Sequence, residues 1–424
     1  MLAHLWHAGI DENSIGTATT GSSEAIHLGG LAMKRIWVEK RLAAGKDASK
    51  PNIIMGANAQ VALEKFARYF DVEARIVPVS EESRYCLDVK KIPDFIDENT
   101  IGIFVILGST YTGHYESVQE VSNYLDQYEK ETGHYVPIHV DGASGAMVAP
   151  FAHRDLVWDF KIPRVVSINT SGHKFGLSPV GVGWVVWRDA QYLPKYLIFE
   201  LGYLGGSEAT YTLNFSRPGA PILAQYFNFI HFGREGYKQI QDNDLINARI
   251  LSEALEETGY FECVSDIHRR RGKLGKQKHP EDAKIISSDA KDYNEGLPVV
   301  AFKLSESYTK KHPHVQQGAI STLLRVKGWI LPNYTLPPNE QKTEILRAVI
   351  RQSFTGSMCE RLLFDIVEAA ELLAAQKDQT FIAALSNPSN KGSVLRRLSA
   401  VRLSSSKEEY HEKYKNHGVF KGIC

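Results

Sequence analysis

Cysteine is scarce in this chain of 424 residues, and its four copies lie far apart. Cys86, Cys263, Cys359 and Cys424 form no Cys-x-x-Cys pair. Neither a disulfide framework nor a metal site is indicated, so no metal is expected, and the simplest setting is a reducing, cytoplasmic one. Net charge is missing as well: 49 basic and 49 acidic residues cancel. Nothing global therefore points to nucleic acid or to an anionic membrane. No apolar run approaches the roughly 20 residues that a membrane-spanning helix needs. The longest strand-like runs, Ile101 to Leu107 and Val180 to Trp187, read as core. Met1 to His7 lacks the basic start and long apolar centre of a signal peptide. It reads instead as the middle of a helix, with Leu2, Leu5 and Trp6 on one face. There are no internal repeats. With 43% hydrophobic residues, what remains is a soluble globular protein large enough for two or more packed regions.

Chemistry gathers around Ser167 to Gly176. This stretch follows Val165 and Val166 and precedes Pro179 and the apolar run to Trp187, so Lys174 is expected on a turn between two buried strands. Burial disfavours a charged amine, lowers its pKa and frees it as a nucleophile for a Schiff base. A solvated turn lysine is the plainer alternative. Ile138 to Gly145 is a short apolar strand ending in Asp141 and small residues, which offers either a carboxylate at a strand end or an Asx turn. Thr19 to Ala25 precedes Ile26, Leu28, Leu31, Ala32 and Ile36, spaced as a helix that runs toward Gly45. Hydroxyls and free amides at a helix start suit a phosphate, unless Ser22 is simply an N-cap. Gly108 to Gly113 puts further hydroxyls after an apolar strand, at the end where open α/β sheets bind their ligands.

In this order the four stretches resemble the fold-type I pyridoxal-phosphate decarboxylases, and within them the glutamate decarboxylase family of plants, fungi and bacteria. The likeness continues through Leu28 to Lys34, Lys65 to Phe70, Asn99 to Gly102, Val157 to Phe160 and Asn214 to Pro218, and covers roughly residues 1 to 375. It implies that Lys174 is the Schiff-base lysine, with His173 beside it near the reacting carbon. Asp141 then pairs with the pyridine nitrogen, because only a protonated ring withdraws electrons strongly enough. Ala143 packs under the ring and Gln60 covers its other face; many relatives with other substrates carry histidine at the latter position. Ser22 and Ser23 bind the phosphate, Ser216 reaches it from a neighbouring subunit, Thr110 bonds near the ring hydroxyl, and Ser171 completes the cofactor set. Arg351 clamps the substrate α-carboxylate. A planar guanidinium can do so bidentately, fixing which bond aligns with the electron sink.

The fold expected is α/β. Over residues 1–244, strands near Ile53, Ile76, Ile101, Ile138, Val165 and Val182 alternate with helical stretches such as Gln119 to Lys130 and Pro221 to Gln239, which argues for a mostly parallel sheet with helices on both faces. Over 245–380, a helix to Thr258, strands around Val299 and Arg347 and a helix from Glu360 to Ala375 make a smaller α+β domain. Its polar insert at about 265–294 reads as a solvated surface loop. The tail 381–424 is basic and reads as flexible. Plant relatives bind calmodulin through such a tail, although this one lacks a tryptophan anchor. The resemblance also implies that the chain starts inside the large domain, without a preceding family segment that helps dimerise the protein and line the substrate pocket.

The function expected is decarboxylation of L-glutamate to 4-aminobutyrate and carbon dioxide by a cytoplasmic homo-oligomer. The alternatives are decarboxylation of another amino acid on the same fold, or an inactive relative that acts through oligomerisation.

Overall fold

A seven-stranded sheet lies at the centre of the computed structural model, which describes residues 1–9, 13–202, 206, 208–273, 289–376, 382, 385 and 386. Its strands are β1 (Ile15–Thr19), β2 (Asn52–Gly56), β3 (Glu73–Val77), β4 (Thr100–Ile106), β5 (Ile138–Asp141), β6 (Val165–Ser171) and β7 (Gly183–Trp187). Across the sheet they run β1-β7-β6-β5-β4-β2-β3. The five from β6 to β3 are parallel, and β7 is antiparallel to both of its neighbours. Every residue of β2, β4, β5 and β6 is buried, as parallel strands covered on both faces require.

Alternation along the strands feeds two cores. Ile54, Ile103, Val105, Val140 and Ile168 pack on one face with Val121 and Leu125 of α4 (Val118–Thr132) and Phe151 of α5 (Ala149–Ala152). Leu2, Leu5 and Trp6 join this core from α1 (Leu2–Leu5), a single turn. Ile53, Met55, Phe104 and Val166 pack on the opposite face with Ile26, Met33 and Trp37 of α2 (Ser22–Ala43) and Leu63 and Phe66 of α3 (Val61–Tyr69). α2 lies very close to the sheet. A Cβ on Gly29 would come within 2.5 Å of the His139 ring.

The helical stretches expected at 221–239 and up to 258 are one element, α6 (Ala220–Glu257), carried through a kink at Gly233. Tyr237 and Leu245 belong to the core of the large sheet, whereas Ala248, Leu251 and Leu255 belong to the next one. That next core lies against a four-stranded antiparallel sheet, which follows a short hairpin of β8 (Phe199–Leu201) and β9 (Glu208–Thr210). Its strands are β10 (Phe261–Cys263), β11 (Val299–Leu304), β12 (Asn333–Thr335) and β13 (Glu344–Val349), in the order β10-β11-β13-β12. α7 (Glu306–Lys311), α8 (Gln317–Val326) and α9 (Gly356–Ala375) cover it.

Two expectations need correction. Val180 is 80% exposed and β7 begins only at Gly183, because Pro179 and the left-handed Gly181 (φ 117°) make a surface turn before the strand. The polar run from residue 266 is not solvated at its start. Asp266, Ile267 and His268 are buried, with the Asp266 carboxylate 2.7 Å from Arg84 Nη2 and 3.1 Å from His114 Nε2 across the two layers. Residues 274–288 of that insert and nearly all of the tail lie outside the described residues. No described helix is long and apolar enough to cross a membrane.

Candidate active site

The candidate residues collect at the carboxyl ends of the parallel strands, where helix starts and crossovers leave room for a ligand. Parallel pairing sets His139 against Ser167 and Asp141 against Asn169. With a period of two, all four side chains share the face on which α2 packs. His139 Nε2–H donates to Asn169 Oδ1 at 2.8 Å, and the Ser167 hydroxyl donates to His139 Nδ1 at 2.7 Å. This arrangement fits one neutral tautomer. Burial outweighs these contacts and lowers the His139 pKa to about 4. Asn169 Nδ2 then donates to Asp141 Oδ1 at 2.9 Å and to Ser22 Oγ at 2.8 Å. One buried amide thus ties Asp141 to Ser22.

Asp141 forms the Asx turn as well, since the Ala143 amide donates to the same Oδ1 at 3.1 Å. No described residue bonds Oδ2. Ser171, buried at the end of β6, closes the turn from the other side by donating its amide to the Ala143 carbonyl.

Lys174 occupies the turn between β6 and β7, as expected. Burial pushes its pKa below the ordinary lysine value; Asp141 opposes the shift and the Arg347 guanidinium adds to it. The His173 imidazole is likewise lowered, by burial first and then by the charges of Lys174 and Arg351. Arg351 reaches this turn from the segment after β13, donating through Nη2 to the carbonyls of His173, at 3.2 Å, and of Lys174. Asp244 of α6 faces it, with a carboxyl pushed up to about 7 by burial despite the nearby guanidinium.

The N-cap of α2 is Gly21, so Ser22 is the first helical residue and Ser23 the second. Glu24 reaches back to the Thr20 amide at 2.8 Å, in the manner of a capping box. Its other oxygen accepts from the Asn214 amide at 3.1 Å. Burial would raise this carboxyl, but the bonds from Thr20 and Asn214 prevail and hold it below the usual value. Tyr211 and Arg217 also bond the backbone of β1. The segment carrying the exposed, left-handed Ser216 is therefore anchored beside the start of α2 of its own chain. Gly183 has to be glycine here, since a Cβ would lie 2.4 Å from the Gly21 carbonyl carbon.

Thr110 and Gln60 sit at the neighbouring strand ends. Thr110 gives its carbonyl to Arg347 and, at 3.4 Å, to the Tyr334 hydroxyl, while Gln60 is the N-cap of α3. Between these ends Glu116 is fully buried and accepts from the amides of Leu87 and Ile106 and from Asn58 Nδ2. Burial pushes its carboxyl up to about 7 despite those bonds.

Sequence reasoning missed Asn169, His139, Arg347 and Glu116. For the first two a signal existed: polar residues at alternate positions of otherwise apolar strands, 139 and 141, then 167 and 169. The arrangement fits a pyridoxal-type cofactor. Asp141 Oδ2 is unclaimed, and His173 Nδ1, Arg347 Nε and Arg351 Nε are buried without hydrogen-bond partners around the half-buried Lys174. Such orphaned polar atoms in one place call for a polar ligand.

Residues 1–271 match the pyridoxal-dependent decarboxylase conserved domain. The chain is 49% identical to the glutamate decarboxylase of Saccharomyces cerevisiae, with 86% of this chain and 65% of that protein covered. It is 46% identical to the glutamate decarboxylase of Solanum lycopersicum, covering 89% and 69% respectively. Among solved structures it superposes on the glutamate decarboxylase of Lactobacillus brevis with a TM-score of 0.78 and 38% identity, over 89% of this chain and 79% of that one. The chain thus spans about two thirds of the length of the curated relatives it matches. It belongs to the pyridoxal-dependent decarboxylase family, and its fold is fold-type I.

Proposed function

We propose that this chain, as a homo-oligomer, decarboxylates L-glutamate to 4-aminobutyrate and carbon dioxide with pyridoxal phosphate as cofactor. The observation that carries the reading is the meeting of three elements at one turn: a half-buried lysine of lowered basicity, the Asp141 carboxylate, and the Arg351 guanidinium that bonds the carbonyl of that same lysine. The names of the relatives support glutamate as the substrate.

When bound, the cofactor supplies an electron sink for the pair released as the bond from Cα to the carboxylate breaks. Lys174 is assigned to hold it covalently, and Asp141, through Oδ2, to keep a proton on the ring nitrogen. Ser22, Ser23 and the free amides at the start of α2 receive the phosphate, where the helix dipole favours negative charge. Ser216 is assigned to the same phosphate, from a neighbouring subunit. Ala143 and Gln60 are assigned to the ring faces, Thr110 to the ring hydroxyl, and Ser171 and His173 to the surrounding wall. Arg351, now bonded to the carbonyls of His173 and Lys174, would instead hold the substrate α-carboxylate and fix its orientation. His173 or Lys174 returns the proton to Cα; burial keeps both less basic than in water.

An apolar strip along α6, formed by Leu223, Tyr226, Phe227 and Ile230, supports an oligomer. The free thiols of Cys86, Cys263 and Cys359 support a cytoplasmic setting.

The test is the visible absorption of the full chain with pyridoxal phosphate, read together with carbon dioxide release. A band that depends on Lys174, judged against Lys174→Ala, and that responds to L-glutamate but not to an aromatic amino acid supports the proposal. Absence of that band overturns it. A band without carbon dioxide from glutamate moves the reading to another substrate or to an inactive relative.

A further inference from the structure

We infer that Glu256, Cys263 and His268 form a binding site for a divalent metal ion of the zinc class, remote from the lysine turn and independent of the function proposed above. The three residues come from three elements of the smaller layer: the last turn of α6, the end of β10, and the buried start of the polar segment that follows. One donor atom from each lies within 4.8 Å of the other two. Glu256 Oε2 and His268 Nε2 are 3.4 Å apart.

Chemistry favours this set. Thiolate, imidazole and carboxylate are the zinc ligands of proteins, with bonds of about 2.3 Å to sulfur and about 2.0 to 2.2 Å to nitrogen or oxygen. In a tetrahedron those bonds separate the donors by about 3.3 to 3.6 Å. The carboxylate and imidazole are already that close, and the thiol needs to move by about an ångström at most.

A second observation points to a ligand. His268 is 4% exposed, yet neither of its ring nitrogens has a hydrogen-bond partner of good geometry. A buried imidazole left in that state is costly, and a metal ion on Nε2 removes half of the deficit. Cys263 completes the set, its thiol now donating to the Ser252 carbonyl at 3.5 Å. On metal entry the thiol proton leaves to solvent and the thiolate lone pair forms the metal–sulfur bond.

Arg269 is the competing cation. Its Nη2 lies 2.6 Å from Glu256 Oε1, which also accepts from the Cys263 amide. It engages the opposite oxygen from the one that faces His268. Arg269 thereby orients the carboxylate and offsets part of the negative charge that thiolate and carboxylate bring, as a hydrogen-bonded outer shell does around a metal.

The experiment uses the full chain, stripped with chelator and dialysed against zinc, with bound metal counted after gel filtration. One equivalent is expected in the parent and in His312→Gln, a control at a half-buried histidine outside the set. It is lost in Cys263→Ser and in His268→Gln, and zinc-edge X-ray absorption shows one sulfur neighbour at about 2.3 Å. No retained equivalent in the parent, or equal zinc in Cys263→Ser, overturns the site. If His268→Gln does not fold, Cys263→Ala, with its circular dichroism preserved, decides the question.

Discussion

Asn169→Ala probes the network on which the candidate site rests. The native side chain is wholly buried and uses both of its donors and its acceptor oxygen: Nδ2 donates to Asp141 and Ser22, and Oδ1 accepts from His139. A hydrogen bond to a charged group contributes about 1.5 to 3 kcal/mol and a neutral one about 0.5 to 1.5 kcal/mol. The three together amount to about 2.5 to 6 kcal/mol, and no other described residue stands ready to replace the amide. Urea unfolding followed by tryptophan fluorescence should show a loss of about 4 kcal/mol. Asp141 and Ser22 are both released, so pyridoxal phosphate affinity should fall at least about tenfold, the equivalent of 1.4 kcal/mol. Combining the change with Ser22→Ala should give less than the sum of the two single effects, because they share a bond. A loss below about 1 kcal/mol together with unchanged cofactor affinity would refute the idea that Asn169 holds these groups in place.

Two further outcomes follow from buried charge. His153 donates through Nε2 to the Gly296 carbonyl at 3.0 Å, and burial lowers its pKa from 6.5 to about 4. The unfolded chain binds this proton first, so stability falls as the pH drops from about 6.5 to about 4 and then levels off. Relative to His153→Gln, which keeps a donor for Gly296, the parent should lose about 3 kcal/mol across that window; parallel pH curves for the two proteins would sink this account. Asp266→Asn leaves buried His114 and half-buried Arg84 without their carboxylate. The expected cost is about 3 kcal/mol in denaturant unfolding, and a change within about 0.5 kcal/mol would mean that the pair contributes nothing across the layers.

The sequence exposes what is local. Val165 and Val166 before the lysine turn, and Ile138 and Val140 around His139, mark strands by composition alone, and the carboxylate or amine at each strand end can be named without knowing its neighbour. Glu24 three residues after Gly21 also reads as a helix start. Partnership is harder to see. Arg347 differs little from any arginine in a short strand until the fold brings it to the Thr110 carbonyl, 237 residues away in sequence. Asp266 sits in a run rich in arginine and reads as solvated, because its two partners come from residues 84 and 114. Val180 misleads in the opposite direction: an apolar residue next to an apolar strand is assigned to it, while the flanking Pro179 and Gly181 turn the chain out to water.

The bonds from Arg351 to the lysine turn span 177 and 178 residues of sequence, which sets an order of events during synthesis. A ribosome adding roughly 5 to 20 residues per second makes Lys174 about 9 to 35 s before Arg351. For most of that interval, from the completion of β7 at Trp187 onward, all strands of the large sheet and the lysine already exist, and neither Arg347 nor Arg351 does. The nascent chain therefore carries the lysine turn before it carries the guanidinium that bonds the carbonyls of that turn, and under the function proposed above the group assigned to the substrate carboxylate is the last part of the site to be translated.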